Sequence, residues 1–325
     1  MRYETALGML EAIAVGDALG MPTEFMGTRV IARRFGTVAR LLPPAASKLH
    51  RNLPFSSVTD DTEQVLWLLE WYLREGIDAE GTARCLLKWI RETRAAERGY
   101  VGPTSLKALA AIEAGASPLV TGKGGNTCGG LMRTPAVVLA WPDADEKELA
   151  SAITASCLPT HNSAAALEAA IAFGFALRAA LAGDPKEGVI EAALRGAELG
   201  DSAGEDDFPS PSSAARIRLL VDLAPRWRSP NDAMVFLHDV FGTGLPSWEV
   251  CPAVFGIFLH AEADTWLAAR MGASMGGDTD TIAAMAAALS AAFAGRGNLP
   301  RGIVETVSKA NNLDLPRVAW AATGP

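Results

Sequence analysis

Gly276-Gly277-Asp278-Thr279-Asp280-Thr281 runs straight into Ile282-Ala283-Ala284-Met285-Ala286, and this join of an acidic, hydroxyl-bearing turn to an apolar run predicts a helix start. An echo lies far upstream, where Val58-Thr59-Asp60-Asp61-Thr62 precedes Val65-Leu66-Trp67-Leu68-Leu69. Working outward, alanine-rich segments with apolar residues three and four apart recur at about residues 5–19, 60–75, 79–97, 104–115, 146–157, 163–182, 211–223, 231–241, 250–260 and 279–294. Strand-like alternation is scarce. Gly and Pro fall mostly between these segments, as in Gly183-Asp184-Pro185 and Gly242-Thr243-Gly244-Leu245-Pro246, so the expected class is all-α.

The two acidic turns have the layout of a metal site, because hard divalent cations take oxygen ligands from Asp, Thr and water. Asp and Thr are also good N-caps, and Asp60 with Glu63 has the spacing of a capping box, so one such turn alone supports either reading. Two turns shift the balance. Capping needs one residue, whereas each turn spends a second carboxylate, and two unit charges about 4 Å apart repel by roughly 4 kcal/mol at an effective dielectric near 20. If the turns meet, a cation is needed between them.

Composition narrows the class. With 325 residues, 49% hydrophobic and 20% charged, the chain can bury a large core and is not disordered. A net charge of −8 argues against a general grip on nucleic acid. Cys85, Cys128, Cys157 and Cys251 form no CxxC pair, so neither a zinc cluster nor a disulfide framework is suggested and most are expected as buried thiols. Met1-Arg2-Tyr3-Glu4-Thr5 lacks the basic and cleavable segments of a signal peptide, and no uninterrupted apolar run reaches the roughly 20 residues of a membrane span. These features predict a cytoplasmic protein with neither nucleic acid nor membrane as partner. The acidic, Pro/Ser-rich stretch 201–213 is the one linker-like segment, expected as a flexible loop within a single domain spanning 1–325.

Four further loops can carry chemistry. Gly16-Asp17-Ala18-Leu19-Gly20 leads through Met21-Pro22-Thr23 to Glu24, which a simple Gly C-cap followed by a surface acid would also explain. Thr121-Gly122-Lys123-Gly124-Gly125-Asn126-Thr127-Cys128-Gly129-Gly130-Leu131-Met132-Arg133 precedes a helix and could cradle a phosphate or sugar, though glycine clusters are commonly plain turns. Gly102-Pro103-Thr104-Ser105 presents hydroxyls at a helix start, and Pro159-Thr160-His161-Asn162-Ser163 places a histidine at another.

In this order the motifs resemble the ADP-ribosylglycohydrolase family, and the match covers most of the chain. The resemblance implies an orthogonal multi-helix fold with two Mg²⁺ or Mn²⁺ ions held by Thr59, Asp60 and Asp61 from one turn and Asp278, Asp280 and Thr281 from the other. It makes Glu24 and Asp61 the catalytic acids, and assigns substrate contacts to Gly102, Thr104, Ser105, Asn126, Gly129, Gly130, Met132 and His161. The implied reaction splits an N- or O-glycosidic bond to the distal ribose of an ADP-ribosylated protein or small molecule. A nucleoside or another ribosylated metabolite is the alternative substrate, and a crystallin-like structural protein the alternative without catalysis. This chain departs from the family pattern at Cys128-Gly129-Gly130, where many relatives carry a Gly-Asn-Gly turn, and at His161-Asn162-Ser163, where a Gly-His-Pro continuation is common. It also has Tyr100-Val101 before Gly102, where one branch carries an Asp.

Overall fold

The computed structural model describes residues 1–204 and 209–324. Among them there is no strand, only two isolated bridges, Lys123 with Asn162 and Thr127 with Pro246. The helices that matter most are α1 (Tyr3–Gly20), α2 (Asp60–Glu75), α3 (Ala164–Ala182), α4 (Lys186–Asp201), α5 (Thr265–Met275) and α6 (Thr279–Ala294). The all-α expectation holds.

Two compact units emerge, each built from separated segments. The first comprises Met1–Thr62, Ile217–Leu245 and Pro252–Pro325; the second comprises Glu63–Arg216 and Pro246–Cys251. Both acidic turns therefore belong to one unit, although more than two hundred residues separate them. One crossing, between Arg216 and Ile217, lies just beyond the linker-like stretch.

In the first unit α1 is buried on every side from Thr5 to Gly20, which is why its apolar residues form no single stripe. Glycine sets how closely it packs. A Cβ on Gly16 would lie 2.5 Å from the Ala283 carbonyl oxygen, and one on Gly20 would lie 2.2 Å from that of Thr279, so α1 meets α6 backbone to backbone. Gly272 of α5 makes the same kind of approach, its missing Cβ falling 2.4 Å from Ala283 Cα. These contacts bring the C-terminal end of α1 against the first turn of α6. Gly16→Ala is expected to cost about 2–3 kcal/mol, since overpacked cores yield only by shifting backbone. Gly302→Ala, on a helix with open space at that position, should change stability little. Equal denaturation midpoints for the two variants would refute the close approach.

The second unit centres on α3, the one helix among the described residues long and apolar enough to cross a membrane by length and composition. It is a core helix here, buried along nearly its whole length. Gly196 and Gly200 of α4 let the two helices touch, with missing Cβ atoms 2.6 Å from the Ile171 carbonyl oxygen and 2.5 Å from Glu168 Cα. All four cysteines are free and buried, one step beyond the expectation for most of them. Of the stretch expected to form a flexible loop, residues 205–208 lie outside the described residues. On either side of them the chain is tied down: Gly204 packs against Ala164, while Ser212 Oγ and Ala214 N both donate to buried Glu168, at 2.8 and 3.0 Å.

Candidate metal centre

The centre begins with Asp17, a fully buried acid near the end of α1. The first N–H groups of any helix lack intrahelical acceptors, and here the missing acceptor for α2 comes from another helix. Asp17 accepts from Thr59 N at 2.9 and 3.0 Å, Thr59 Oγ1 at 2.8 Å, Thr62 N at 3.1 Å and Thr62 Oγ1 at 2.5 Å. Asp17 thus caps the turn. The capping box expected from Asp60 and Glu63 does not form, because Glu63 is engaged elsewhere: it accepts from Trp89 Nε1 at 2.9 Å, Arg98 Nη1 at 2.9 Å and the Tyr100 hydroxyl at 2.7 Å.

The second turn is held just as firmly. Gly276 and Gly277 both take φ near +80°, a region hostile to side chains, and a Cβ on Gly277 would fall 1.9 Å from the Thr243 carbonyl oxygen. Phe25 N donates to the Gly277 carbonyl at 2.7 Å, and Gly277 N to the Met26 carbonyl at 3.2 Å. Thr279 Oγ1 donates to the Gly20 carbonyl at 2.8 Å, and Thr23 Oγ1 to the Ala273 carbonyl at 2.7 Å, so these hydroxyls fasten α1 and α5 to the turn. Asp278 stands at the N-cap of α6 without a side-chain capping bond. Asp280 Oδ1 accepts from Thr281 N at 3.0 Å, and the capping of the first turn falls to Asp17, not to a capping box of its own.

The result is two groups of ligand atoms sharing one residue. Oxygens of Asp17, Asp61 and Asp280 lie within 4.8 Å of one another, as do ligand atoms of Glu24, His50 and Asp280. Thr59 Oγ1 and Thr281 Oγ1 approach Asp61 Oδ2 at 3.4 and 3.3 Å, while Asp61 Oδ1 is buried with no hydrogen-bond partner. A buried carboxylate oxygen without a donor is costly, and a cation would satisfy it. Burial, then the Asp280 charge, pushes the Asp17 carboxyl up to about 7 despite its hydrogen bonds, which act the other way. Burial first and Asp280 second also raise Glu24, Asp60 and Asp61 well above the usual carboxylate range. Desolvation and mutual repulsion dominate, as expected where acids gather for a divalent ion. Oxygen donors, crowded charge and an orphaned oxygen fit a hard divalent cation.

Of the expected ligands, Asp61 and Asp280 stand together, with the Thr59 and Thr281 hydroxyls beside them. Asp60 and Asp278 lie outside the two groups of converging atoms but act on the centre electrostatically, each raising Asp61. Glu24 does not protrude as a surface acid; it is 9% exposed and touches His50 Nε2. Sequence reasoning missed Asp17 and His50 as participants. Asp17 sat inside a quoted motif, whereas Ser47-Lys48-Leu49-His50 carries no periodic signal beyond the rarity of histidine.

The expected substrate residues occupy the second unit. His161 is 1% exposed, and both ring nitrogens are hydrogen-bonded to threonines, Nε2 to Thr127 Oγ1 at 2.8 Å and Nδ1 to Thr160 Oγ1 at 2.7 Å. A Cβ on Gly129 would lie 2.5 Å from the ring, so His161 braces the glycine loop and has no nitrogen left for a sugar hydroxyl. Burial, reinforced by Arg133, keeps it neutral. Gly130, Met132 and Ser105 are buried as well, while Gly102, Thr104 and Asn126 are partly exposed and able to meet a ligand.

A model of the ADP-ribosylglycohydrolase family matches residues 1–323. "Uncharacterized protein YegU" of Escherichia coli (strain K12) is 30% identical over 324 residues, covering 99% of this chain and 97% of that one. A protein of Archaeoglobus fulgidus is 29% identical over 283 residues, covering 86% and 84%. A solved structure described as an ADP-ribosylglycohydrolase-related protein complex is similar with a TM-score of 0.70 and 26% identity, covering 98% of this chain and 97% of that one.

Proposed function

Because the chain belongs to the ADP-ribosylglycohydrolase family and is a glycosidase-like hydrolase, we propose that it cleaves an N- or O-glycosidic bond to the distal ribose of an ADP-ribosylated protein or small molecule, using two Mg²⁺ or Mn²⁺ ions. The observation that supports this best is the pair of ligand groups meeting at Asp280 beside an orphaned Asp61 oxygen. Asp61 and Asp280 with the hydroxyls of Thr59 and Thr281 would hold the ions, and Asp60 and Asp278 add negative charge beside them. Asp17, whose lone pairs already accept bonds from Thr59 and Thr62, fixes the turn that presents them.

When bound, the ions supply positive charge against sugar hydroxyls and lower the pKa of a coordinated water. The side chains do the rest. Cleavage builds oxocarbenium character on the ribose, so an acid must manage the proton of the attacking water. Glu24 suits this role: it is nearly buried, and burial, then Asp280, raise its carboxyl well above the usual carboxylate range. Glu24→Gln should keep the fold but lose turnover by about 10²-fold or more, since the shape survives while proton acceptance does not. Unchanged turnover would leave Glu24 structural.

The direct test is purified protein, stripped by chelation and reloaded with Mg²⁺ or Mn²⁺, assayed against arginine- and serine-ADP-ribosylated peptides, O-acetyl-ADP-ribose and nucleosides. Ion-dependent release of ADP-ribose is expected. Release of a free base from nucleosides without any ADP-ribose would move the assignment to ribosylated metabolites.

A further inference from the structure

The sequence motifs account for an all-oxygen ligand set, yet the centre also contains an imidazole. His50 lies on the loop between the Pro44–Ala46 turn and α2, is 4% exposed, and has its backbone N–H fixed by Ser47 Oγ at 2.9 Å. One ring nitrogen, Nε2, meets Glu24 Oε2; the other, Nδ1, is buried with no hydrogen-bond partner. A ring ligand atom of His50 lies within 4.8 Å of ligand oxygens of both Glu24 and Asp280, and Asp280 is also the residue shared with the Asp61 group. Burial is the largest influence on the ring and favours its neutral form, the only form that ligates.

We propose that His50 is a nitrogen ligand of the second ion position, together with Glu24 and Asp280, and that this position selects Mn²⁺ over Mg²⁺. The inference rests on the binuclear reading above and adds a donor to it. Mg²⁺ holds its water shell and prefers oxygen, whereas imidazole adds affinity for transition ions, along a series in which Mn²⁺ is the member closest to oxygen chemistry. Glu24 then has two neighbours that fix it, the ring and the ion, so the same residue pair links proton handling to ion choice.

The test uses full-length, untagged protein stripped of ions and titrated with Mn²⁺ alone. Nitrogen modulation in the electron spin echo of bound Mn²⁺ reports a coordinated imidazole without reference to turnover. Two bound Mn²⁺, with ¹⁴N coupling that disappears in His50→Gln, is the expected result. Calorimetry should then show Mn²⁺ bound at least about tenfold more tightly than Mg²⁺, with the gap closing in the variant. Two bound Mn²⁺ without ¹⁴N coupling in the wild type, or coupling that persists in His50→Gln, overturns the His50 assignment and leaves the binuclear reading intact. Failure of Mn²⁺ and Mg²⁺ to bind at all overturns both. Should His50→Gln not fold, the wild-type echo alone decides, since its nitrogen coupling either is present or is not.

Discussion

Asp280→Asn is expected to remove more turnover than any other carboxylate exchange in the protein, at least about 10²-fold, together with both ions. The reason is position. Asp280 is the one residue common to the two groups of converging ligand atoms, and it is second only to burial in raising Asp17, Glu24, Asp60 and Asp61. The exchange keeps volume and removes charge, so the apo fold should survive and even gain, because the repulsion that lifts its four neighbours is gone. Asp17→Ala should behave in the opposite way, losing stability because the buried Thr59 and Thr62 donors that Asp17 caps are left without an acceptor. Ion binding by calorimetry, turnover and melting, measured on both variants, separate a shared ligand from a brace. Near-wild-type turnover in Asp280→Asn with both ions bound would exclude direct ligation.

The parts of this site that were legible in the sequence are those that announce themselves locally. An acid-hydroxyl turn followed by an apolar run marks a helix start wherever it occurs, so Asp60, Asp61, Asp278 and Asp280 could be singled out by position. What the turns meet is a tertiary matter. The cap on α2 comes from Asp17, over forty residues upstream, and nothing near Thr59 signals it. His50 enters from a stretch without period or motif. The helices missed by pattern are informative too: α4 carries Gly188, Gly196 and Gly200, and α5 carries Gly272, residues that weaken a helix in isolation. Three of these, Gly196, Gly200 and Gly272, face neighbouring backbone in the fold. There the gain from close packing outweighs the propensity that the sequence pattern registers.

Stripping the ions should reverse the pH dependence of stability. In the metal-free protein Asp17 titrates near 7, above its unfolded value near 3.8, so its protonated form stabilises the native state. That contribution is complete below the unfolded pKa and disappears as pH rises through 7. Between pH 8 and pH 5.5 Asp17 alone is worth about 2 kcal/mol. Glu24, Asp60 and Asp61 are shifted the same way and add to it. His50 and His161, lowered by burial, oppose it below about 6.5, where the unfolded chain takes up their protons; four carboxylates outweigh two imidazoles. Chelated protein is therefore expected to melt higher at pH 5.5 than at pH 8. Saturating Mg²⁺ or Mn²⁺ should raise the melting temperature most at pH 8, since bound ions compete with protons for the same oxygens. With ions present, the alkaline sample should then be the more stable one. Melting temperatures that ignore added ions at both pH values would mean the crowded carboxylates are relieved by something other than a metal.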